Sequence, residues 1–193
     1  MRYRTGAICA PLVVLALLVS SAAAQDAPLL HAPDVPFVPT TPEAVQAMLK
    51  LAHVTRNDVL YDLGSGDGRI VIAAAKLGAR AVGIDIDPQR IQEARENARK
   101  AGVESRVQFI QQDLFQADIH QATVVSLFLL SSVNLRLRPR LLAELKPGTR
   151  VVSNTFDMGD WKPDKEQKLE ETDDYSLSNK FFLWIIPRPT AGK

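Results

Sequence analysis

Three aspartates follow apolar stretches of this 193-residue chain at intervals typical of a site for a nucleotide-like ligand. Asp62 precedes a glycine-rich turn, Asp85 comes 21 residues after Gly64, and Asp113 follows a third apolar stretch. A carboxylate after the second strand of an open α/β sheet accepts hydrogen bonds from two neighbouring ribose hydroxyls, the role we expect for Asp85. We expect Asp113 to accept from an exocyclic amine of a purine, and Asp62 to hold an ammonium group.

The glycine turn itself contains Gly64, Gly66 and Gly68, which let the backbone turn tightly and approach a ligand. Dinucleotide oxidoreductases have glycines here so that a pyrophosphate can lie on the helix N-terminus. Asp62 lies two residues before Gly64 and would repel a pyrophosphate. The turn therefore favours a cationic or zwitterionic ligand such as S-adenosylmethionine (SAM), with a nicotinamide cofactor as the alternative.

The sequence around these residues predicts strands that alternate with helices. Apolar stretches at 59–63, 81–85, 107–110, 123–130 and 150–153 predict strands, and the segments between them predict helices, including 88–101 and 135–145. Two further strands, at 167–171 and 180–186, have no helix between them. This order predicts an α/β fold with a mostly parallel sheet, helices on both faces and an antiparallel pair at one edge. Ligands of such sheets bind beyond the carboxyl ends of the strands.

The N-terminus has the composition of a targeting segment. Arg2 and Arg4 precede an apolar run at 8–19 and then a run of small residues, which predicts a secretory signal cut after Ala24. An uncleaved membrane anchor is the alternative, and either interpretation predicts export, to the periplasm or to a membrane. The expected domains are 1–24 (signal), 25–41 (proline-rich lead-in), 42–187 (ligand-binding domain) and 188–193 (tail). The lead-in is either a solvated linker or a lid over the ligand.

The amino-acid composition limits the classes of binding partner that we expect. The net charge of +1 gives no reason to expect nucleic acid, and the length fits one domain, which we expect to be a monomer. Cys9 is the single cysteine, so a cleaved chain would have no thiol chemistry. The three histidines are scattered along the sequence, and we expect no metal site.

The sequence D-L-G-S-G-D-G at 62–68, together with G-I-D at 83–85, resembles the cofactor signature of class I SAM-dependent methyltransferases. A narrower resemblance adds P-F-V-P-T at 36–40, D-L-F at 113–115 and R-V-V-S at 150–153, which look like the small protein-lysine methyltransferases related to the enzyme that modifies the ATP synthase c subunit. The resemblance implies a Rossmann-like sheet of seven strands with an antiparallel last strand, SAM as cofactor and a protein lysine as methyl acceptor. The implied cofactor-binding residues are Asp62, Gly64, Ser65, Gly66, Asp85, Ile86, Asp113 and Leu114.

A lysine acceptor must be neutral, which favours a low-dielectric channel with apolar or aromatic walls. Candidates for this substrate channel lie after strand ends or in the lead-in, with core packing as the alternative role; they are Phe37, Phe128, Leu129, Asn134, Asn154, Phe156 and Trp161. No residue is typical of a general base.

The sequence leaves alternatives to a lysine acceptor open. Asn154, Phe128 and Ser131 depart from the histidine, tyrosine and proline that the narrower family leads us to expect. A small-molecule or lipid-linked substrate is therefore an alternative, as is a SAM-binding module without catalysis. The absence of an N/D-P-P-Y-like sequence after the fourth strand argues against methylation of a nucleic-acid base.

Overall fold

A computed structural model describes residues 32–169 and 180–188 of the chain. Helices and strands alternate along most of this length, as the sequence predicts. They are α1 (Pro42–Leu51), β1 (Val59–Leu63), α2 (Arg69–Lys76), β2 (Arg80–Asp85), α3 (Pro88–Lys100), β3 (Val107–Gln111), β4 (Val124–Leu127), α4 (Ser131–Glu144), β5 (Arg150–Asn154), β6 (Lys165–Lys168) and β7 (Lys180–Ile185).

The strands form one seven-stranded sheet in the order β3-β2-β1-β4-β5-β7-β6. Strands β1 to β5 are parallel, whereas β7 is antiparallel to both β5 and β6. The predicted α/β fold with an antiparallel edge is thus confirmed. The chain winds outward from β1 to β3 and then returns to place β4 on the other side of β1. The carboxyl ends of β1 and β4 are therefore the switch point where open α/β sheets bind ligands.

The helices cover the two faces unequally. Buried residues of α1, α2 and α3 pack with Leu60 and Val152 in one apolar layer. Helix α4 packs Val133, Leu137 and Leu141 into a second layer on the opposite face. Both faces of β4 are buried as a result, which explains why its residues are apolar apart from Ser126.

Local sequence signals fix several boundaries. Thr41 caps α1 by accepting from the backbone N–H of Ala44 at 3.2 Å, followed by a proline at the first helical position. Asp87 caps α3 by accepting from the N–H of Gln89 at 2.8 Å. Both caps are followed directly by a proline, Pro42 and Pro88, at the first position of the helix.

Three predicted boundaries are wrong. Strand β4 ends at Leu127 rather than at residue 130, and α4 begins at Ser131 rather than at residue 135. Leu130 precedes α4 without a side-chain cap, so the usual start signal is missing. The helix also continues through Pro139. Strand β6 spans Lys165–Lys168 rather than 167–171, and residues 170 and 171 lie outside the described part.

The amino ends of the strands are joined by a polar cluster. Asp58 accepts from the Thr55 N–H at 2.8 Å and from the Thr123 hydroxyl at 2.7 Å, and it pairs with Arg150. Arg150 also donates to the Ala52 carbonyl at 2.7 Å. This cluster ties α1, β1, β4 and β5 together at the edge opposite the predicted ligand site.

The predicted signal segment, 1–24, and most of the tail lie outside the described residues. Within 32–169 and 180–188, no helix combines the length and the apolar character needed to span a bilayer.

Candidate functional site

A cavity of ≈310 Å³ opens at the carboxyl ends of β1, β2 and β3. Its volume lies in the range of small-molecule sites, ~300–1,000 Å³. It brings together most of the predicted cofactor-binding residues, which are Asp62, Gly64, Ser65, Asp85, Ile86, Asp113 and Leu114. Gly66 lies in the same turn, where its N–H donates to Asp85 at 2.8 Å.

Asp62 is almost fully buried, with 2% of its surface exposed, at the end of the central strand. Its Oδ1 accepts from the Ser126 hydroxyl at 2.7 Å across the β1–β4 pairing. Burial raises the pKa of Asp62 to about 7; the Ser126 hydrogen bond opposes this rise, and the charges of Asp85 and Asp67 add to it. A cationic ligand group at this carboxylate would stabilise its ionised form.

Asp85 ends β2 and holds the glycine turn in place. Its two oxygens accept from the backbone N–H of Gly66 at 2.8 Å and of Asp87 at 3.0 Å. Burial raises the pKa of Asp85, although these two hydrogen bonds oppose the rise. Each carboxylate oxygen has a second lone pair, which leaves the pair of oxygens able to accept from two adjacent hydroxyls.

Ser65 contributes a buried hydroxyl to the cavity. Its backbone N–H donates to the Ile84 carbonyl at 2.9 Å, whereas its Oγ is buried without a hydrogen-bond partner among the described residues. A Cβ at Gly83 would lie 2.8 Å from this Oγ and 2.7 Å from the Phe109 ring, so β2 needs glycine there. Buried polar atoms are normally paired, and a ligand that fills the cavity would supply the partner.

Asp113 follows β3 and faces the same cavity. Its Oδ1 accepts from the Phe115 N–H at 2.9 Å, which fixes the turn after β3. Ile86 and Leu114 add apolar surface to the same cavity. A carboxylate together with two aliphatic side chains suits the edge and the faces of a purine.

Residues 33–40, called the strap below, close one side of the cavity, and all eight line it. Phe37 lies over the glycine turn so closely that a Cβ at Gly66 would be 2.3 Å from its ring. Arg90 of α3 lies 4.9 Å from the centre of the Phe37 ring. This part of the lead-in is therefore a wall of the site, which agrees with the lid interpretation rather than with a solvated linker.

Two more arginines hold the strap. Arg69 of α2 donates to the Thr40 carbonyl at 2.6 Å and also pairs with Asp67 at 2.5 Å. Arg136 of α4 pairs with Asp34 at 2.8 Å. The strap is thus fastened to three helices.

The charges around the cavity are mainly negative. Two arginines, Arg69 and Arg90, face six carboxyl groups, which are Asp34, Asp62, Asp67, Asp85, Asp87 and Asp113. Such a field opposes a pyrophosphate and attracts a ligand with positive groups. It supports the argument against a dinucleotide that Asp62 alone suggests.

The predicted substrate-channel residues separate into two groups. Phe37, Phe128 and Leu129 line the cavity. Phe156 does not, but its ring stacks on Phe128 with 6.2 Å between centroids. This aromatic pair lies where β4 and β5 end, beside the switch point.

The other three candidates, Asn134, Asn154 and Trp161, do not line the cavity. Asn134 and Asn154 have no exposed surface. Asn134 instead donates to the Phe156 carbonyl at 3.1 Å and to Ser153 Oγ at 3.3 Å, which fixes the loop after β5. Trp161 packs against Trp184, 5.8 Å between ring centroids, as part of the second core layer.

The sequence interpretation missed Ser126 and the arginines of the strap. Ser126 is a fully buried hydroxyl in the all-buried strand β4, and this polar residue within an apolar run was an available signal. No comparable signal pointed to Arg69, Arg90 and Arg136, since their partners lie 29 to 102 residues away or are aromatic faces.

The sheet order and the acidic cavity at its switch point define the class as a Rossmann-like methyltransferase. A solved structure described as an RNA methyltransferase from Salinibacter ruber, in complex with S-adenosyl-L-homocysteine, is 53% identical with a TM-score of 0.74, covering 81% of this chain and 98% of that one. Residues 62–165 match the family model of the ANTKMT methyltransferase domain, and the chain belongs to this family.

Similar curated proteins act on lysine according to their names. A protein-lysine N-methyltransferase of Saccharolobus islandicus is 45% identical over 81% of this chain and 96% of that relative. The human lysine N-methyltransferase named for the ATP synthase c subunit is 36% identical over 71% of this chain. The chain spans only 58% of the human protein's length.

Proposed function

We propose that this protein is a SAM-dependent methyltransferase that methylates the side-chain amine of a lysine in a protein. The observation that carries the cofactor assignment is the acidic cavity at the switch point, with a buried carboxylate at Asp62 and an unpartnered hydroxyl at Ser65. The relatives named as lysine methyltransferases support the acceptor.

The residues of the cavity fit SAM group by group. Asp62 would hold the ammonium and Ser65 Oγ the carboxylate of the methionine part. Asp85 would accept from the two ribose hydroxyls, and Asp113 from the adenine amine between Ile86 and Leu114. When bound, SAM supplies a methyl group on a positively charged sulfur, which is the electrophile of the reaction.

The protein's own part in the reaction is alignment and exclusion of water. Proximity and orientation contribute up to ~7–11 kcal/mol to such transfers. Phe128, stacked on Phe156, provides a rigid apolar surface beside the cofactor cavity. A lysine placed against these rings loses hydration, which lowers its pKa and favours the neutral, nucleophilic amine. Its proton then leaves to solvent, which needs no dedicated base.

The experiment is incubation of the purified protein with methyl-labelled SAM and protein fractions, followed by mass spectrometry of the labelled peptides. We expect mono-, di- or trimethyl-lysine in a defined protein. Asp85→Asn should abolish labelling, because the ribose loses an acceptor. The matched control is Asp118→Asn, an exposed carboxyl that pairs with His120 and does not line the cavity. Labelled protein without any methyl-lysine would refute the acceptor assignment.

An RNA substrate is the second candidate, because the Salinibacter ruber structure at 53% identity is described as an RNA methyltransferase. The near-neutral net charge of +1 argues against it, since RNA-binding surfaces are usually basic. A parallel reaction with total RNA in place of the protein fractions distinguishes an RNA substrate from a protein substrate. Label in nuclease-sensitive material that resists protease would favour RNA.

We further propose that residues 1–24 form an export signal, on the charge and apolar pattern of the sequence. Mass spectrometry of the mature N-terminus tests this. A chain that retains Met1 in the cytoplasmic fraction would contradict it.

A further inference from the structure

Ser126 is the feature of the cofactor site that the proposed function leaves unexplained. It is completely buried in β4, where its neighbours Val125 and Leu127 are apolar core residues. A hydroxyl in such a strand is unfavourable unless it is paired. Its nearer acceptor is Asp62 Oδ1 at 2.7 Å, directly across the pairing of β1 with β4, whereas the Tyr61 carbonyl lies at the longer distance of 3.5 Å.

The surroundings of Asp62 otherwise oppose a negative charge. Asp85 of β2 and Asp67 of the glycine turn both repel it. The remaining charged groups around the cavity are Asp34 of the strap, Asp87 and Arg90 of α3, Arg69 of α2 and Asp113. Arg69 is already paired with Asp67, and Arg90 lies over Phe37. The interaction that favours the ionised carboxylate is therefore the Ser126 hydrogen bond.

A hydroxyl that donates to a carboxylate also fixes its direction. With Oδ1 bound to Ser126, the carboxylate plane is set and its other oxygen is directed by the same contact. A preorganised carboxylate binds a cation more tightly than one that rotates freely, because less ordering is needed on binding.

We propose that Ser126 is a positioning residue for the cofactor, which keeps Asp62 oriented and ionised and thereby sets the lower pH limit of SAM binding. The inference rests on the proposed function, since it assigns the ammonium of SAM to Asp62. Ser126 does not need to touch SAM, and its effect is transmitted through Asp62.

The test is the dissociation constant of SAM as a function of pH, by calorimetry, for wild type and Ser126→Ala. A hydrogen bond to a charged group changes an equilibrium by about tenfold or more. We therefore expect the pH midpoint of binding to rise by about one pH unit in Ser126→Ala. A smaller weakening from the lost orientation of Asp62 should persist at alkaline pH, where the carboxylate is ionised in both proteins. Ser126→Thr keeps the hydroxyl and should restore the wild-type midpoint.

Ser153→Ala is the matched control, because Ser153 is also fully buried in a neighbouring strand but donates to the Phe156 carbonyl rather than to a carboxylate. It should leave the midpoint unchanged. Equal weakening of SAM binding by Ser126→Ala at every pH would indicate a merely structural role and overturn the proposal. So would an unchanged midpoint, or the same shift in Ser153→Ala.

A second measurement needs no cofactor. The contribution of Asp62 to the stability of the free protein falls with rising pH until Asp62 is fully ionised, and in Ser126→Ala this fall should end about one pH unit higher. Wild type that binds no SAM at any pH would reject the proposed function, whereas normal binding with unchanged pH profiles would reject only the role of Ser126.

Discussion

Replacement of Asp62 by asparagine should stabilise the free protein while it removes cofactor binding. Burial raises the pKa of Asp62 from 3.8 to about 7, against the hydrogen bond from Ser126, so ionisation is less favourable in the folded than in the unfolded chain. The difference corresponds to about 4 kcal/mol at about 1.36 kcal/mol per pH unit, an upper value because the site relaxes. The asparagine side chain would have no charge to bury and could still accept from Ser126.

The direction of the pH dependence follows from the linkage between protonation of Asp62 and folding. Below pH 3.8 the carboxyl is protonated in both states and has no effect. Between 3.8 and about 7 only the unfolded state ionises, so the contribution of Asp62 to stability falls as pH rises, and above this range the fall is complete. Urea unfolding at pH 8 should therefore show Asp62→Asn more stable by about 2–4 kcal/mol, and by less than about 1 kcal/mol at pH 4.

Asp67→Asn is the matched control with the opposite sign. Burial of Asp67 is outweighed by its hydrogen bonds and ion pair with Arg69, so its pKa is lowered and its charge stabilises the fold. This variant should be less stable than wild type at pH 8. Calorimetry should also show SAM affinity at least about tenfold weaker in Asp62→Asn. A stability gap that is the same at pH 4 and pH 8, or an unstable Asp62→Asn, would refute the reasoning.

Three further predictions concern the strap, the strand ends and the loop after β5. Gly66→Ala should weaken SAM binding because its Cβ would lie 2.3 Å from the Phe37 ring, and Phe37→Ala should partly restore it in the double variant, as calorimetry would show. Arg150→Met should destabilise the protein by about 2 kcal/mol in urea at pH 7, because the buried Asp58 carboxylate loses its ion pair and the Ala52 carbonyl loses its donor. The loss should shrink as pH falls through the lowered pKa of Asp58, and an unchanged difference would contradict this account. Thr155→Gly should raise the free energy of unfolding by about 1 kcal/mol, because Thr155 has a φ of +66°, which favours glycine. The turn is closed by the hydrogen bond from the Phe156 N–H to the Asn154 carbonyl. A fall in the urea midpoint of unfolding would count against this prediction.

The fold could be predicted from the sequence because the residues that begin and end most of its helices and strands lie next to those boundaries. Thr41 and Asp87 each precede a proline and cap a helix, and each of these helices begins at that proline. Strands β1 to β5 could be predicted in the same way, because each coincides with a local run of apolar residues. Helix α4 was misplaced because Leu130 has no capping side chain and Pro139 lies within the helix, so local signals contradict a helix that is held by packing of Leu137 and Leu141.

The candidate site was predictable only in part. The three aspartates follow strand ends, and parallel strands bring their carboxyl ends to one edge, so their convergence follows from fold class alone. The partner of Asp62 depends on the register of β1 against β4, which pairs residues 64 positions apart and leaves no local trace. Asn134 and Asn154 were assigned to the channel for a similar reason: position after a strand does not reveal whether a side chain points to the cavity or into the core.

The strap is also the path by which the N-terminal residues join the domain. Residues 33–40 line the cavity, so whatever holds residues 1–31 is connected directly to a wall of the cofactor site. A pull applied at the N-terminal end of the strap would bear first on the Asp34–Arg136 ion pair and then on Phe37. A tether that loads this end of the strap would therefore couple mechanical load to cofactor exchange, whereas a tether on the edge strand β6 would bear on another part of the molecule.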